Sequence, residues 1–393
     1  MSENRWAMLG VIFLARTAMG MMYQSLAAVG PFVIEDLALT YFQYSLLLGL
    51  FLLPGGVMAL PGGLLGQRFG SKRLAGAGLA LMVVGGMVTA QSLAFALAAI
   101  GRTLIGIGGV FLNIALTKMV ADWFTGREIS TAMGLMLTSF PVGMALAMVL
   151  LPGIGAAHGW RSAVHISVAA AVMGLVVLLS LYRNPAALAG SEATMVARRH
   201  VLAGWEIALS ASIGLAWGLF NAGFFVLGGF APDYLVTLGS SVANAAFIVS
   251  IGILVSLVSV PLGGVVADRL RRPNLVIVTG CLATALFIAL MPVFPAPTFW
   301  FVLMGLMFGL PPGALTSLLP QALPADRLSV GLGVYYTVFY LSIVAALLLA
   351  GRVRDLSASA AAPVFFAAIV TAGSVICLGL FRSLERRGRP RQA

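Results

Sequence analysis

The sequence predicts an all-α integral membrane protein with twelve transmembrane helices, arranged as two parallel six-helix halves around a central cavity. Three observations carry this prediction. The composition is strongly apolar, the chain divides into twelve apolar segments of membrane-spanning length, and the two halves of the chain repeat one another.

The composition excludes most soluble classes of protein. Of the 393 residues, 61% are hydrophobic and 9% are charged, and the mean hydropathy is +1.05. A soluble domain is about 45–50% apolar and about 25% charged. The chain therefore has too few polar residues to cover a water-soluble globule, which excludes a cytosolic enzyme, a nucleic-acid-binding protein and a disordered protein.

Twelve segments satisfy the length requirement of about 20 mostly apolar residues for a membrane helix. The longest polar break, 184–204, is interpreted as a cytoplasmic linker between an N-terminal half, 1–183, and a C-terminal half, 205–393, with a basic cytoplasmic tail. Prolines mark expected kinks at Pro54, Pro61, Pro261, Pro311 and Pro312. The predicted spans are 7–34, 43–66, 73–91, 94–122, 129–153, 160–182, 205–235, 242–267, 274–294, 297–322, 329–350 and 359–382.

The basic residues predict the orientation of the spans. With the N-terminus inside, 18 of the 23 Lys and Arg residues fall at cytoplasmic ends. Arg161, Arg352 and Arg354 fall outside, and Arg16 and Arg102 lie within spans. Cytoplasmic loops carry an excess of Lys and Arg. We therefore expect a multi-pass protein of the plasma (inner) membrane with both termini in the cytoplasm.

The internal repeat supports two related halves. A shift of 201 residues aligns Pro31 with Pro232 and the Gly62–Arg68 stretch with Gly263–Arg269. A shift of 199 aligns Gly134, Thr138 and Phe140 with Gly333, Thr337 and Phe339. A nearly constant offset across several spans predicts parallel halves related by an axis along the membrane normal.

Several motifs resemble those of the major facilitator superfamily over nearly the whole chain. The loop after span two reads GLLGQRFGSKR from Gly63 to Arg73, with Gln67 where the family usually has Asp. Its second copy, GVVADR from Gly264 to Arg269, keeps the Asp but is followed by Arg271 where Gly is usual. Span four contains RTLIGIG from Arg102 to Gly108, and a Gly-Trp-Arg sequence lies at the start of span six.

The resemblance implies a secondary transporter that works by rocking of the two halves, with spans 1, 4, 7 and 10 lining the cavity. It also assigns a gating role to the loop motif. Because Gln67 is uncharged, we expect a weaker cytoplasmic lock, and Gln67→Asp should favour the outward-facing state. The predicted gating residues are Gly63, Gln67, Arg68, Gly70, Lys72, Asp268 and Arg269.

Two arginines are the charges inside the spans, because all twelve acidic residues lie at cytoplasmic or outer positions. Arg16 is about 15 Å deep at 1.5 Å per residue, near the middle of a ~30 Å hydrocarbon core. A charged side chain there is costly and needs a partner. An anionic substrate would provide one, since the guanidinium fork suits a carboxylate, nitrate or phosphate. The alternative is that both arginines bond helix carbonyls and hold spans together, and for Arg102 the two readings are evenly balanced.

Helical spacing groups the remaining candidates on shared faces. The first half presents a cation and polar groups, and the second half presents aromatic rings and an amide. This asymmetry suits a small anion with an apolar portion, although each aromatic alone is equally consistent with packing. The predicted substrate-binding residues are Arg16, Tyr23, Gln24, Arg102 and Asn113 in the first half, and Trp217, Asn221, Phe224, Tyr336 and Tyr340 in the second.

The function predicted from these features is transport of a small anion, with a monocarboxylate favoured. Two modes remain open: anion exchange or facilitated diffusion, and symport with a proton. The alternatives are an efflux pump for neutral or hydrophobic compounds and a non-transporting sensor on the same fold. We expect a monomer in the lipid bilayer that binds a small anionic substrate, without catalytic residues, cofactor, metal or nucleic acid.

Overall fold

The computed structural model describes residues 5–124, 129–185 and 202–388, and in these ranges all regular structure is helical. The side chains of Gln67 and Asp268, and Gly63, lie outside what the structure describes. The helices are α1 Arg5–Ala28, α2 Gly30–Asp36, α3 Tyr41–Gly49, α4 Leu53–Phe69, α5 Ser71–Ala90, α6 Phe95–Phe124, α7 Ile129–His158, α8 Trp160–Leu181, α9 Gly204–Thr237, α10 Val242–Leu270, α11 Pro273–Leu290, α12 Pro297–Phe308, α13 Pro311–Ala322, α14 Ala325–Ser357 and α15 Ala362–Gly388.

Within the described ranges, twelve helical segments are long and apolar enough to cross a membrane, which confirms the predicted number of spans. Some spans consist of two helices. The second contains α3 and α4, and the tenth contains α12 and α13. Pro54 lies in the first turn of α4, and Pro311 and Pro312 lie in the first turn of α13. The breaks follow because proline lacks the N–H that would continue the preceding helix.

Other prolines in the spans do not all coincide with a break between helices. Pro61 and Pro261 lie inside continuous helices, α4 and α10. The predicted first span, 7–34, is divided between α1 and α2, with Pro31 in the first turn of α2. Its counterpart in the repeat, Pro232, lies inside the unbroken α9. The presence of a proline alone therefore does not determine whether a helix in these spans is interrupted.

The chain forms two compact units. The first comprises residues 1–39 and 50–197, and the second comprises 40–49 and 198–393. The segment 40–49, which contains α3, packs with the second unit. The boundaries predicted for the two halves, 1–183 and 205–393, stay a prediction.

Close contact between α1 and α7 shapes the first unit. A Cβ atom at Gly20 would overlap the carbonyl oxygen of Phe140, and one at Gly143 would overlap the carbonyl oxygen of Thr17. Small residues let membrane helices approach until their backbones touch. This contact fixes α1, which carries Arg16, against α7. In the same unit α5 packs on α6 and α8.

In the second unit α9 is the central helix and packs on α14 and α15. Helix α10 packs on α12, and α11 packs on α12 and α15. Helix α3 lies against α14, where a Cβ at Gly351 would overlap Ser45 Oγ. The middles of α9 and α14 and the C-terminal end of α12 meet around a group of aromatic side chains.

Candidate functional site

Arg16 is a buried cation halfway along a membrane helix. It is the twelfth of the 24 residues of α1 and is 8% exposed. Its Nη1 atom donates a long hydrogen bond of 3.4 Å to the carbonyl oxygen of Met136 on α7. The backbone contact between α1 and α7 therefore sets where the guanidinium lies. A position halfway along α1 is consistent with the depth predicted from the sequence, near the middle of the hydrocarbon core.

Arg102 is fully buried and ties α6 to α1. Its Nη1 donates to the carbonyl oxygen of Met22 over 3.0 Å, and its Nη2 donates to that of Tyr23 over 3.2 Å. The guanidinium carbon also lies 5.4 Å from the centroid of the Phe51 ring. These contacts match the helix-holding alternative for Arg102. Its role as a substrate ligand stays a prediction.

The other predicted residues of the first unit differ in burial. Tyr23 is buried, with its ring 4.9 Å from that of Phe51 and 5.7 Å from that of Phe140. Gln24 is buried at 1% exposure, whereas Asn113 on α6 is half-buried. Tyr23 and Arg102 are joined by the hydrogen bond from Arg102 Nη2 to the Tyr23 carbonyl oxygen.

The second unit carries a continuous group of rings, which we call the aromatic face. Trp217 stacks on Phe220 and on Phe339, with centroid distances of 5.9 and 6.0 Å. Phe308 stacks on both Phe220 and Phe224 at 4.6 Å. Tyr336 and Tyr340 each meet Phe339, at 6.3 and 5.1 Å. The aromatic face comprises Trp217, Phe220, Phe224, Phe308, Tyr336, Phe339 and Tyr340.

Four of the seven residues of the aromatic face were predicted from the sequence, and three were missed. Phe220 lies three residues after Trp217 and four before Phe224, so helical spacing alone would have found it. Phe339 was noted only as a repeat position. Phe308 lies on the tenth span, which the family resemblance places at the cavity, but no motif marks it. The predicted Asn221 is half-buried and its amide donates to the Trp217 carbonyl oxygen over 2.9 Å.

The loop motif is partly described. Gly70 has φ +84°, a conformation that favours glycine, and it joins α4 to α5. Its counterpart in the repeat, Arg271, has φ +50° in the left-handed region. Lys72 donates to the carbonyl oxygen of Tyr182 over 2.7 Å, and the Arg68 and Arg269 side chains are exposed. The backbone conformation at Gly70 therefore requires glycine in the first copy of the motif. In the second copy the backbone at Arg271 is locally strained, because a residue with a side chain adopts the left-handed region.

A polar cluster in the second unit was not predicted. Arg354 pairs with Asp233 at 3.2 Å and lies 2.9 Å from the Tyr41 hydroxyl, which donates to Asp233 over 3.1 Å. Asp355 accepts from the backbone N–H groups of Tyr41 and Phe42 at the start of α3, over 2.8 and 2.9 Å. The cluster holds the N-terminus of α3 on α9 and α14. The sequence predicted only that Asp233, Arg354 and Asp355 lie at the outer ends of spans, and did not predict that they contact one another or α3.

A cavity of about 380 Å³ lies elsewhere in the second unit, between α10, α11 and α13. Its lining includes Arg271, Ser317 and Gln321, and none of the predicted substrate-binding residues. We therefore place no substrate there.

Comparison with known proteins identifies the family. A profile of the Major Facilitator Superfamily matches residues 12–347. The chain belongs to this superfamily. It is a multi-pass membrane protein, and the predicted resemblance and fold class are confirmed.

Relatives in the superfamily are distant. The hexuronate transporter of Bacillus subtilis (strain 168) is 23% identical over 281 residues, which is 69% of this chain and 66%, just under two thirds, of that relative. Monocarboxylate transporter 13 of Bos taurus is 27% identical over 76% of this chain and 71% of its own length. The 3-(3-hydroxy-phenyl)propionate transporter of Escherichia coli (strain K12) is 25% identical over 97% and 94%.

Solved structures agree on the fold. A mutant of the nucleoside transporter NupG has a TM-score of 0.79 at 13% identity, covering 97% of this chain and 100% of that one. A bacterial homologue of the human lysosomal transporter Spinster has a TM-score of 0.77 at 16% identity, covering 98% and 97%. At these identities the likeness shows the superfamily fold alone.

Proposed function

We propose that the protein moves a small organic anion, with a monocarboxylate favoured, across the plasma membrane by alternating access. Arg16 carries the proposal. Arginine stays charged, and a charge near the middle of the membrane is costly. A bound carboxylate offsets that cost and matches the planar guanidinium with two parallel hydrogen bonds.

The relatives support an acidic substrate. Three of them are named for transport of hexuronate, monocarboxylate and 3-(3-hydroxy-phenyl)propionate, and each of these names denotes a carboxylic acid. The sequence also places no acidic residue in the middle of a span, where a cationic substrate would need one. Facilitated diffusion, anion exchange and proton symport are all compatible with these features.

We assign different roles to the two buried arginines. In this proposal Arg16 binds the anion. Tyr23 and Gln24 on the same helix, α1, and Asn113 on α6 provide further polar groups. Arg102 donates to two carbonyl oxygens of α1, so it positions the helix that carries Arg16. This assignment separates a binding residue from a positioning residue, and the two respond differently to substitution.

The test is thermal unfolding of the purified protein in detergent with added ligands. The panel contains monocarboxylates, dicarboxylates, nitrate, phosphate and cationic drugs. A ligand at 100 times its Kd stabilises the folded state by about 2.7 kcal/mol. We expect a monocarboxylate to raise the melting temperature of the wild type and to have no effect on Arg16→Gln. The control, Arg352→Gln, removes an exposed arginine of α14 and should respond as the wild type does.

Two outcomes would overturn the proposal. In the first, only cationic or neutral hydrophobic compounds stabilise the protein, which would favour an efflux pump. In the second, Arg16→Gln responds to the anion as strongly as the wild type does, which would make Arg16 a structural residue.

A further inference from the structure

The cavity of about 380 Å³ in the second unit lies where α10, α11 and α13 meet. Small residues form much of its lining, namely Gly264, Ala267, Gly313 and Ala314. A Cβ at Gly313 would lie 3.3 Å from the Gly264 Cα, whereas a Cβ at Gly264 would meet nothing within 4 Å. Sites for small ligands have volumes of about 300–1,000 Å³. The cavity is therefore large enough for a small ligand or the head group of a lipid.

Arg271 is the cation in the lining of this cavity, and its side chain is available to a ligand. Two other arginines at span ends predicted to be cytoplasmic are already paired, Arg327 with Glu206 at 2.8 Å and Arg382 with Glu385 at 2.7 Å. Within the described part of the chain, the exposed Arg271 side chain has neither an ion pair nor a hydrogen bond. The cavity thus presents a positive charge that no described carboxylate neutralises.

The backbone at Arg271 gives a second, independent reason to assign a ligand. Arg271 follows the last residue of α10 with φ +50° and ψ 25°, a left-handed conformation at which glycine is the usual helix-ending residue. Its counterpart in the repeat is Gly70, with φ +84°. Strained residues in proteins cluster at sites with a function. A guanidinium held at this position despite the strain therefore indicates a binding role.

The surroundings of the cavity are apolar on the side of the spans. Leu270 and Leu275, which flank Arg271 and Pro273 in the chain, are 52% and 49% exposed, and Val265 on α10 is also exposed. Exposed apolar side chains grouped at the end of membrane spans mark contact with lipid. A phosphate ion from solution would make no use of them. The ligand that fits both the cation and these leucines has an anionic group and acyl chains.

We propose that this cavity binds the head group of an anionic phospholipid of the cytoplasmic leaflet. Arg271 donates charged hydrogen bonds to the phosphate. Ser317 and Gln321 provide polar groups for the rest of the head group. Anionic lipids are enriched in that leaflet, and basic pockets between membrane helices bind their head groups. The site lies within the second unit and is independent of which substrate the protein carries.

The test is a lipid titration of the purified full-length protein in a neutral detergent, with bound lipid counted by native mass spectrometry. The probes are dioleoylphosphatidylglycerol, which is anionic, and dioleoylphosphatidylcholine, which has the same acyl chains and no net charge. Glycerol 3-phosphate is the soluble probe without acyl chains. We expect one phosphatidylglycerol to bind about tenfold more tightly than phosphatidylcholine, and glycerol 3-phosphate to bind more weakly than either lipid.

Substitutions assign the binding to the cavity. Arg271→Gly removes the cation and also relieves the backbone strain, so it should lose about tenfold or more in affinity for phosphatidylglycerol while melting no lower than the wild type. The matched control is Arg272→Gln, which removes an exposed arginine that does not line the cavity. It should lose at most about fivefold, the value for general attraction to an anionic surface. Ser317→Leu fills the cavity, keeps every arginine and should lose about tenfold.

Three outcomes would overturn the inference. Equal losses in Arg271→Gly and Arg272→Gln would show that the basic surface attracts lipid without a defined site. Wild-type binding by a folded Ser317→Leu would exclude the cavity as the place of binding. Glycerol 3-phosphate that binds as tightly as phosphatidylglycerol would make the ligand a soluble phosphate compound instead of a lipid. None of these results bears on anion binding at Arg16, so the proposed function is tested separately.

Discussion

Arg102 and Arg16 are both buried cations of the first unit, but their contacts predict different effects of substitution. Each charged hydrogen bond that Arg102 makes to α1 contributes about 1.5–3 kcal/mol, so Arg102→Ala should lower the melting temperature in the absence of ligand. The melting temperature of Arg102→Lys should lie between those of the wild type and Arg102→Ala, because one ammonium group cannot reproduce the geometry of two guanidinium nitrogens that donate to two carbonyl oxygens. The measurement is thermal unfolding in detergent. If Arg102→Ala melts as the wild type does yet loses its response to anions, Arg102 is a substrate ligand.

Asp36 predicts a pH dependence at an end of the first unit. Trp160 Nε1 donates to the Asp36 carboxylate over 3.0 Å, and Arg161 pairs with it at 2.8 Å. The hydrogen bond from Trp160, followed by the contact with Arg161, holds the pKa of Asp36 below its usual range. Since the pKa is lower in the folded state than in the unfolded state, the contact stabilises the fold above pH ~4, and this stabilisation is lost as the pH falls through the folded pKa.

Asp36→Asn tests this dependence, because asparagine resembles the protonated acid. At pH 7 the variant should be less stable than the wild type by under about 1 kcal/mol, since the carboxylate is partly exposed. The difference should shrink as the pH is lowered from 5 towards 3. Melting temperatures of both proteins across this range provide the measurement. A difference that stays constant or grows at low pH would show that the charge of Asp36 is not the cause.

At the scale of helices, the contact between α1 and α7 depends on glycine. A Cβ at Gly143 would overlap the Thr17 carbonyl oxygen and lie 2.8 Å from the Met21 nitrogen. Gly143→Ala should therefore push the helices apart at a cost of about 1–3 kcal/mol. Because α1 carries Arg16, the same variant should weaken anion binding.

Gly134 provides a matched control on the same helix, since a Cβ there meets nothing within 4 Å. Gly134→Ala should be neutral or stabilising by up to about 1 kcal/mol, because alanine loses less entropy than glycine in a helix. Both variants are compared by thermal unfolding and by the anion-induced shift. Equal melting temperatures for the two would mean that α1 and α7 are not in backbone contact.

Local sequence features predicted the helices well and their contacts poorly. Hydropathy and proline positions located the twelve spans and the breaks at Pro54 and Pro311, because membrane length and the missing proline N–H act within a few residues. The hydrogen bond between Arg354 and Tyr41 joins residues 313 positions apart. The stacking of Phe308 on Phe220 and Phe224 likewise depends on how α12 packs beside α9. Such contacts follow from packing in three dimensions and leave no local pattern in the sequence.

At the scale of the whole molecule, the distribution of charge predicts the orientation in the membrane. Of the 23 basic residues, 18 lie on the side predicted to be cytoplasmic, and Arg269, Arg271 and Arg272 form one of the densest groups. The structure places this group at the end of α10, and Ser240 lies at the other end of the same helix, between α9 and α10. Positively charged short loops stay in the cytoplasm. The two ends of α10 should therefore face opposite compartments.

Reporter fusions expressed in a Gram-negative bacterium test this orientation. Alkaline phosphatase, which folds only in the oxidising periplasm, should be active when fused after Ser240 and inactive when fused after Arg272. A fluorescent protein that matures only in the cytoplasm should fluoresce when fused to the C-terminus. The reverse pattern would place 18 of the 23 basic residues outside, against the charge rule, and would move the loop motif with Gly70 and Lys72 to the outer side. The role of that motif as a cytoplasmic gate therefore depends on the result.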